Sequence, residues 1–309
     1  MSSSADSDGA ELRIVCGPTA AGKSAVAMAL AERHGLTIVS ADSRQIYRGF
    51  DVGTAKPSAA DRKRVPHLGV DVADATERWS AAKFASDAAG WIATNGAART
   101  LVVGGTGFYL RALTEPLDPS PPLHPAVRAK LASELETVDT ENLRRWVREL
   151  DPARAHLGRT QLLRAAEVAL LTGHRLSDYH RDAPEAAAPR ARWLVVDPGD
   201  RLHGQIAHRL DAMLGGGWPD EVRALERTVP ADAPAWQACG YDSVRQLVAG
   251  TLGASAARDA ILIATRQYAK RQRTWFRHQL ESRHVTRLDP HDPSCDAIVE
   301  RWWRGGERE

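Results

Sequence analysis

A chain of 309 residues is long enough for one large α/β domain with a smaller second unit. Its 43% hydrophobic and 26% charged content is that of an ordinary folded protein, with no apolar run long enough for a membrane span and no apolar stretch in the acidic N-terminus to serve as a secretory signal. Cys16, Cys239 and Cys295 lie far apart without CxxC spacing, which argues against a disulfide framework or zinc site and for a reducing, cytoplasmic setting; a net charge of +2 means that any nucleic-acid surface must come from local clustering.

Residues 1–10 are expected to form a disordered tail. Leu12 to Cys16 is an apolar run of strand length, and it leads at once into Gly17, Pro18, Thr19, Ala20, Ala21, Gly22, Lys23 and Ser24, then into strong helix formers at 25–32. This is GxxxxGK[ST] in the strand–loop–helix setting that the motif requires. The glycines let the backbone wrap a phosphate, the N–H groups and the helix dipole face it, Lys23 adds a mobile positive charge, and Ser24 offers a hydroxyl ligand for Mg²⁺. The motif specifies a phosphate chain and leaves its owner open.

Two further apolar runs, 36–40 and 100–103, end in polar residues that include Asp42 and Thr106. Near-continuous apolar strands separated by helical stretches such as 80–95 predict a parallel sheet covered on both faces. Ligands bind beyond the carboxyl ends of such strands, which puts Asp42 and Thr106 near the phosphate loop. By position alone Asp42 could cap the next helix or do chemistry.

Prolines at 116, 119, 121, 122 and 125 mark a linker, and 125–178 reads as helical, with Pro125 at a first helical position, Thr140 as an N-cap and Gly173 after the end of a helix. A second Pro/Ala linker at 182–190 precedes a return to strand at 192–197. The simplest organisation is a core of 11–118 and 189–285, a helical insertion at 119–188 and a C-terminal tail at 286–309. Within 264–279, Arg266, Lys270, Arg273 and Arg277 fall on one helix face with no acidic residue in the segment, while Ala264, Tyr268 and Trp275 fall opposite and are expected to pack on the core. The stripe suits either a solvated face or a phosphate surface.

Four motifs in order, GPTAAGKS at 17–24, DSRQIYRGFDVGTAKP at 42–57, GGTGFYLRAL at 104–113 and TRQYAKRQRTWFR at 265–277, resemble those of the bacterial-type tRNA dimethylallyltransferases, the IPP transferase family. The resemblance runs from about residue 14 to about residue 280. It implies a nucleotide-kinase-like P-loop core with an inserted all-helical domain that grips the anticodon arm. It also implies transfer of a dimethylallyl group from dimethylallyl diphosphate to N6 of the adenine next to the anticodon, flipped out of its stack. On that resemblance, loop 17–24 with Lys23, a Mg²⁺ at Ser24 and Arg266 would hold the diphosphate, Asp42 would accept the proton from N6, and Thr106 would sit between leaving group and adenine. Asp42, Ser43, Arg44, Gln45 and Thr106 would meet the target nucleotide. Arg128 and the strip Gln161, Leu162, Leu163, Arg164, Ala165 would contact tRNA. The implied partners are tRNA and dimethylallyl diphosphate, without a membrane and with the chain acting as a monomer.

The sequence departs from the family where Gln161 replaces an expected arginine and at Asp242-Ser243, where a basic and then an acidic residue are common; Arg164, Glu167 and Val168 of the strip are kept, and a local Arg164–Glu167 surface pair is its alternative reading. Two other activities share these features: prenylation of a free adenylate, which would need neither insertion nor basic helix, and phosphoryl transfer or ATP hydrolysis by a P-loop kinase or ATPase.

Overall fold

The computed structural model describes residues 11–115, 121, 123–181, 190–280 and 284–305. The expected tail at 1–10 and most of both Pro-rich linkers lie outside the described residues. Six parallel strands, β1 (Leu12–Cys16), β2 (Thr37–Ala41), β3 (His67–Leu68), β4 (Thr100–Gly104), β5 (Ala191–Val196) and β6 (Val285–Leu288), form one sheet in the order β3-β2-β4-β1-β5-β6. The helices are α1 (Lys23–His34), α2 (Ala59–Arg64), α3 (Ala81–Asn95), α4 (Gly107–Thr114), α5 (Pro125–Glu136), α6 (Thr140–Leu150), α7 (Arg159–Thr172), α8 (Leu176–Arg181), α9 (Leu202–Gly215), α10 (Trp218–Leu225), α11 (Tyr241–Val248), α12 (Ala254–Gln279) and α13 (Cys295–Arg304).

The alternation of strand side chains explains the burial of both sheet faces. Val15, Leu101 and Leu194 point into one cluster with Leu30, Leu202 and Trp302; their neighbours Ile14, Val102 and Trp193 point into the other with Phe84 and Phe276. A third cluster, built by Phe50, Trp218, Trp236, Tyr241 and Ile261, supports the segment that follows β2. The central strand β1 pairs with β4 on one side and β5 on the other. The loops leaving β1, β2 and β4 therefore emerge together at the carboxyl edge, where open parallel sheets bind ligands.

The second compact unit, Pro116–Ala187, is helical in its described part. Leu135, Leu143, Val147, Leu162 and Ala165 form its core.

Two expectations are corrected. Asp139, rather than Thr140, caps α6, because its carboxylate accepts from the N–H groups of Glu141 and Asn142, both at 3.0 Å. The segment expected as a tail at 286–309 contributes the last residues of β6 and all of α13, with Leu288, Val299 and Trp302 buried in the core. A strand of four residues carries too little periodicity to be read alone; its place is set by pairing with β5. Among the described residues no helix is long and apolar enough to cross a membrane.

Candidate active site

The phosphate loop takes its shape from close backbone packing. Gly17 has φ of 144° and lies so close to the Val196 carbonyl that any Cβ would overlap it. Gly22, also left-handed at φ 91°, turns the chain into α1, whose first N–H groups have no intrahelical partners. Lys23 folds back so that Nζ donates to the Pro18 carbonyl at 2.6 Å. Its pKa is pulled down to about 8, chiefly by burial and then by the nearby Arg209 charge, against the opposing pull of Asp42. Ser24 stands exposed at the rim.

A neutral side chain on α12 ties this loop to the next. The buried Gln272 accepts from the Thr19 N–H through Oε1 at 2.8 Å and donates from Nε2 to the Gly105 carbonyl at 2.8 Å. It sits inside the motif at 265–277, but belongs to neither the basic stripe nor the apolar face that the sequence pattern marks there.

Asp42 follows β2 and does what a turn cap does: Oδ1 accepts from the N–H groups of Arg44 at 2.8 Å and Gln45 at 3.3 Å. Among the described residues its other oxygen, Oδ2, accepts no hydrogen bond. Thr106, at the N-terminus of α4, accepts from the Ser43 N–H at 3.0 Å and meets the Ser43 hydroxyl at 3.3 Å. Beside it stands Tyr268, whose phenol is pushed up to about 12 by burial first and then by the Asp42 charge. That phenol stays protonated and can donate. Tyr268 thus lines the site instead of merely packing on the core.

Two cavities meet here, sharing Thr19, Asp42, Arg209 and Tyr268 as walls. The first, of about 220 Å³, is lined by Lys23, Ser24, Gly105 and Gln272 among other polar groups. The second, of about 90 Å³, is lined by the apolar Ile206, Leu210, Met213, Trp218 and Ile261. Arg209, on α9, has no hydrogen bond or ion pair among the described residues, and its pKa is lowered by burial. An unpaired guanidinium between both cavities is an anion-binding group. Sequence reasoning passed over it because a single arginine on an amphipathic helix has no pattern.

Other expected site residues fall in different places. Arg44 lines the apolar cavity. Gln45 lines the polar one, but its amide is engaged with the carbonyls of Thr54 at 3.2 Å and Ala55 at 3.1 Å and with the Ser40 hydroxyl. Arg266 lies outside both linings, one turn from Leu262 and Ala269 on α12, which belong to the same apolar cluster as Ala20 and Ala21 of the phosphate loop; its Nε is buried and without a partner among the described residues. The basic stripe is broken by Arg273, whose guanidinium grips Asp197 at 2.9 and 2.5 Å. Lys270 and Arg277 remain exposed.

In the helical unit, Arg128 and Arg164 each reach the same Glu167 oxygen at 3.1 Å, so the local Arg164–Glu167 pair exists and has a third member. The strip is corrected in part: Leu162 and Ala165 are fully buried in the unit's own core and offer no surface to tRNA, and Gln161 closes the N-terminus of α7 by accepting from the Gly158 N–H at 3.1 Å. Leu163 is half-buried.

Among the described residues no three His, Cys, Asp or Glu side chains converge as a metal cage. A hydroxyl and a single carboxylate beside a phosphate loop are nevertheless the donor set that Mg²⁺ uses when a substrate's phosphate oxygens and water complete its octahedron, so Ser24 and the polar cavity fit that ion.

The model of the family described as IPP transferase matches residues 45–279, and that described as isopentenyl transferase matches residues 10–68. The chain is 42% identical over 294 residues to the tRNA dimethylallyltransferase of Stenotrophomonas maltophilia (90% of this chain, 92% of that protein), and 37% identical over 297 residues to that of Deinococcus radiodurans (93% and 96%). Its structure is similar to the crystal structure of a tRNA isopentenylpyrophosphate transferase from Bacillus halodurans, with TM-score 0.67, 29% identity and coverage of 95% of this chain and 94% of that one. A eukaryotic dimethylallyltransferase that acts on tRNA shares the fold, at TM-score 0.78 and 20% identity over 97% of this chain and 81% of that one.

Proposed function

The chain belongs to the IPP transferase family and is a transferase, and on that footing we propose that it moves the dimethylallyl group of dimethylallyl diphosphate onto N6 of the adenine next to the anticodon of tRNA, in the cytoplasm. The observation that carries the reading is the junction of an apolar cavity with a phosphate-loop cavity at Asp42, where Lys23 and Arg209 supply positive charge and the Asp42 Oδ2 accepts no hydrogen bond among the described residues. The junction is complete within one chain, which supports action as a monomer.

The donor's diphosphate lies under loop 17–24 and its prenyl group in the apolar cavity. The adenine, flipped from its stack, brings N6 to C1 of the prenyl group. The N6–C1 bond forms as C1–O breaks, and the electron pair leaves with the diphosphate, whose growing negative charge is stabilised by Lys23, Arg209 and the first N–H groups of α1. Arg266, from the helix face behind the loop, adds charge on the same side. Asp42 Oδ2 takes the proton from N6, which is weakly nucleophilic because its lone pair is shared with the ring. Thr106 holds Ser43 in place, and the Tyr268 phenol lines the junction beside this oxygen. The Ser24 hydroxyl would hold a Mg²⁺, which would supply Lewis-acid neutralisation of the leaving group's charge. Ser43, Arg44 and Gln45 border the path of the nucleotide, and Arg128 with Arg164, held together by Glu167, contacts tRNA phosphates.

Transfer of radiolabel from dimethylallyl diphosphate to bulk tRNA, AMP or water, with and without EDTA, tests the reading. Label is expected in tRNA alone and only with a divalent cation. Label in AMP, or ATP hydrolysis without prenyl transfer, would replace it with one of the other two activities.

A further inference from the structure

One wall of the apolar cavity beside Asp42 cannot easily move. Leu210 and Met213 stand on one face of α9, and Trp218 comes from the first turn of α10. Trp218 is 1% exposed. Its ring lies against Gly53, where any Cβ would overlap the indole Nε1, and against Gly240, where a Cβ would fall 2.5 Å from the ring. Tyr241 meets it edge-on with ring centroids 5.3 Å apart.

These neighbours are themselves locked. The Tyr241 hydroxyl donates to Glu221 at 2.6 Å, and the same carboxylate accepts the N–H groups of Asp51 at 2.8 Å, Val52 at 2.5 Å and Gly53 at 3.3 Å. Swinging the indole away would mean moving Tyr241 or the Gly53 turn, and each is tied to Glu221. By contrast Met213 is half-buried and unbranched, the most pliable part of the wall.

We propose that Trp218, Met213 and Leu210 form an end-stop that restricts the donor to a five-carbon prenyl diphosphate and excludes ten-carbon chains such as geranyl diphosphate. The proposal rests on the function given above and adds to it the residues that set donor length. Close-packed walls take extra methylenes only by displacing side chains. A longer chain would therefore either force the braced indole or slide back towards Asp42, drawing C1 out of line with N6. The bonds made and broken are the same for either donor: N6–C1 forms, C1–O breaks, and the proton goes to Asp42. Only the fit differs.

The test compares kcat/KM for dimethylallyl and geranyl diphosphates, with tRNA as acceptor, in wild type, Met213→Ala and Trp218→Val. Wild type is expected to prefer the shorter donor by on the order of 100-fold, in line with what a hydrophobic pocket achieves by shape. Met213→Ala should narrow that preference by about 10-fold, and Trp218→Val by more. Should Trp218→Val fail to fold, Met213→Ala at its half-buried position and the wild-type ratio still decide the matter. A wild type that uses both donors within a few-fold, or a ratio unmoved in Met213→Ala, overturns the end-stop and leaves tRNA prenylation standing. A wild type that transfers no dimethylallyl group overturns both.

Discussion

Asp42 has two roles that a pair of substitutions can separate. Its Oδ1 holds the turn by accepting from Arg44 and Gln45, at 2.8 and 3.3 Å, and its Oδ2 is the proposed proton acceptor. Asp42→Asn keeps an acceptor oxygen for both N–H groups and loses the base. Asp42→Ala loses both. Replacing a capping Asp by Ala costs about 1 kcal/mol, so the Ala variant should unfold at lower urea than wild type while the Asn variant stays close to it. Loss of a general base slows the chemical step by roughly 10²- to 10⁴-fold, about 2.7–5.5 kcal/mol of barrier. The two variants should therefore share a rate loss that is larger than their difference in stability. The assay is rapid-quench single turnover at saturating labelled donor and tRNA, beside urea unfolding of each variant. An Asn variant that reacts at nearly the wild-type rate would reduce Asp42 to a cap. Slow transfer by the Ala variant alone would assign the effect to the turn.

Lys23 makes the site sensitive to pH. With its pKa at about 8, the free protein loses this proton as pH rises through that value, and donor affinity should fall towards tenfold per pH unit above it; a flat profile in wild-type calorimetry would refute this, and Lys23→Met should be flat. Between about 8 and the ordinary 10.5 the unfolded chain binds more protons than the folded one, so the stability of the free protein should rise with pH across that window. Gln272→Leu preserves bulk but strands the Thr19 N–H and the Gly105 carbonyl, for an expected loss of about 1–4 kcal/mol in urea unfolding and a rise in donor KM that exceeds the fall in kcat. Unchanged stability and KM would contradict the clamp. Lys270→Ala should flatten the dependence of log tRNA affinity on log salt by roughly 0.7–0.9, as should Arg128→Ala, because Arg128 and Arg164 share the single Glu167 carboxylate and keep one net positive charge, whereas Arg273→Ala, already neutralised by Asp197, should leave the slope alone; equal slopes for Lys270→Ala and Arg273→Ala would refute the distinction.

Strands β1, β2, β4 and β5 could be read in the chain because each is buried on both faces and so must be apolar along its length. The phosphate loop was legible for a similar reason: wrapping a phosphate demands glycine and lysine at fixed spacing, and the demand is local. Edge strand β3, with two residues, and β6, with four, carried no such signal, since their identity as strands depends on a partner's backbone. Helical periodicity put Lys270 and Arg273 on one stripe and could not tell them apart. Only folding brings Asp197, 76 positions away, against one of them. Gln272 is 253 positions from the Thr19 N–H that it holds, and Arg209 becomes a site residue only where two cavities meet around it. A sequence records what each residue requires of its immediate neighbours along the chain. Which cation is left without a counter-charge, and which amide fastens two loops together, depends on distances that exist only after the sheet has closed its order.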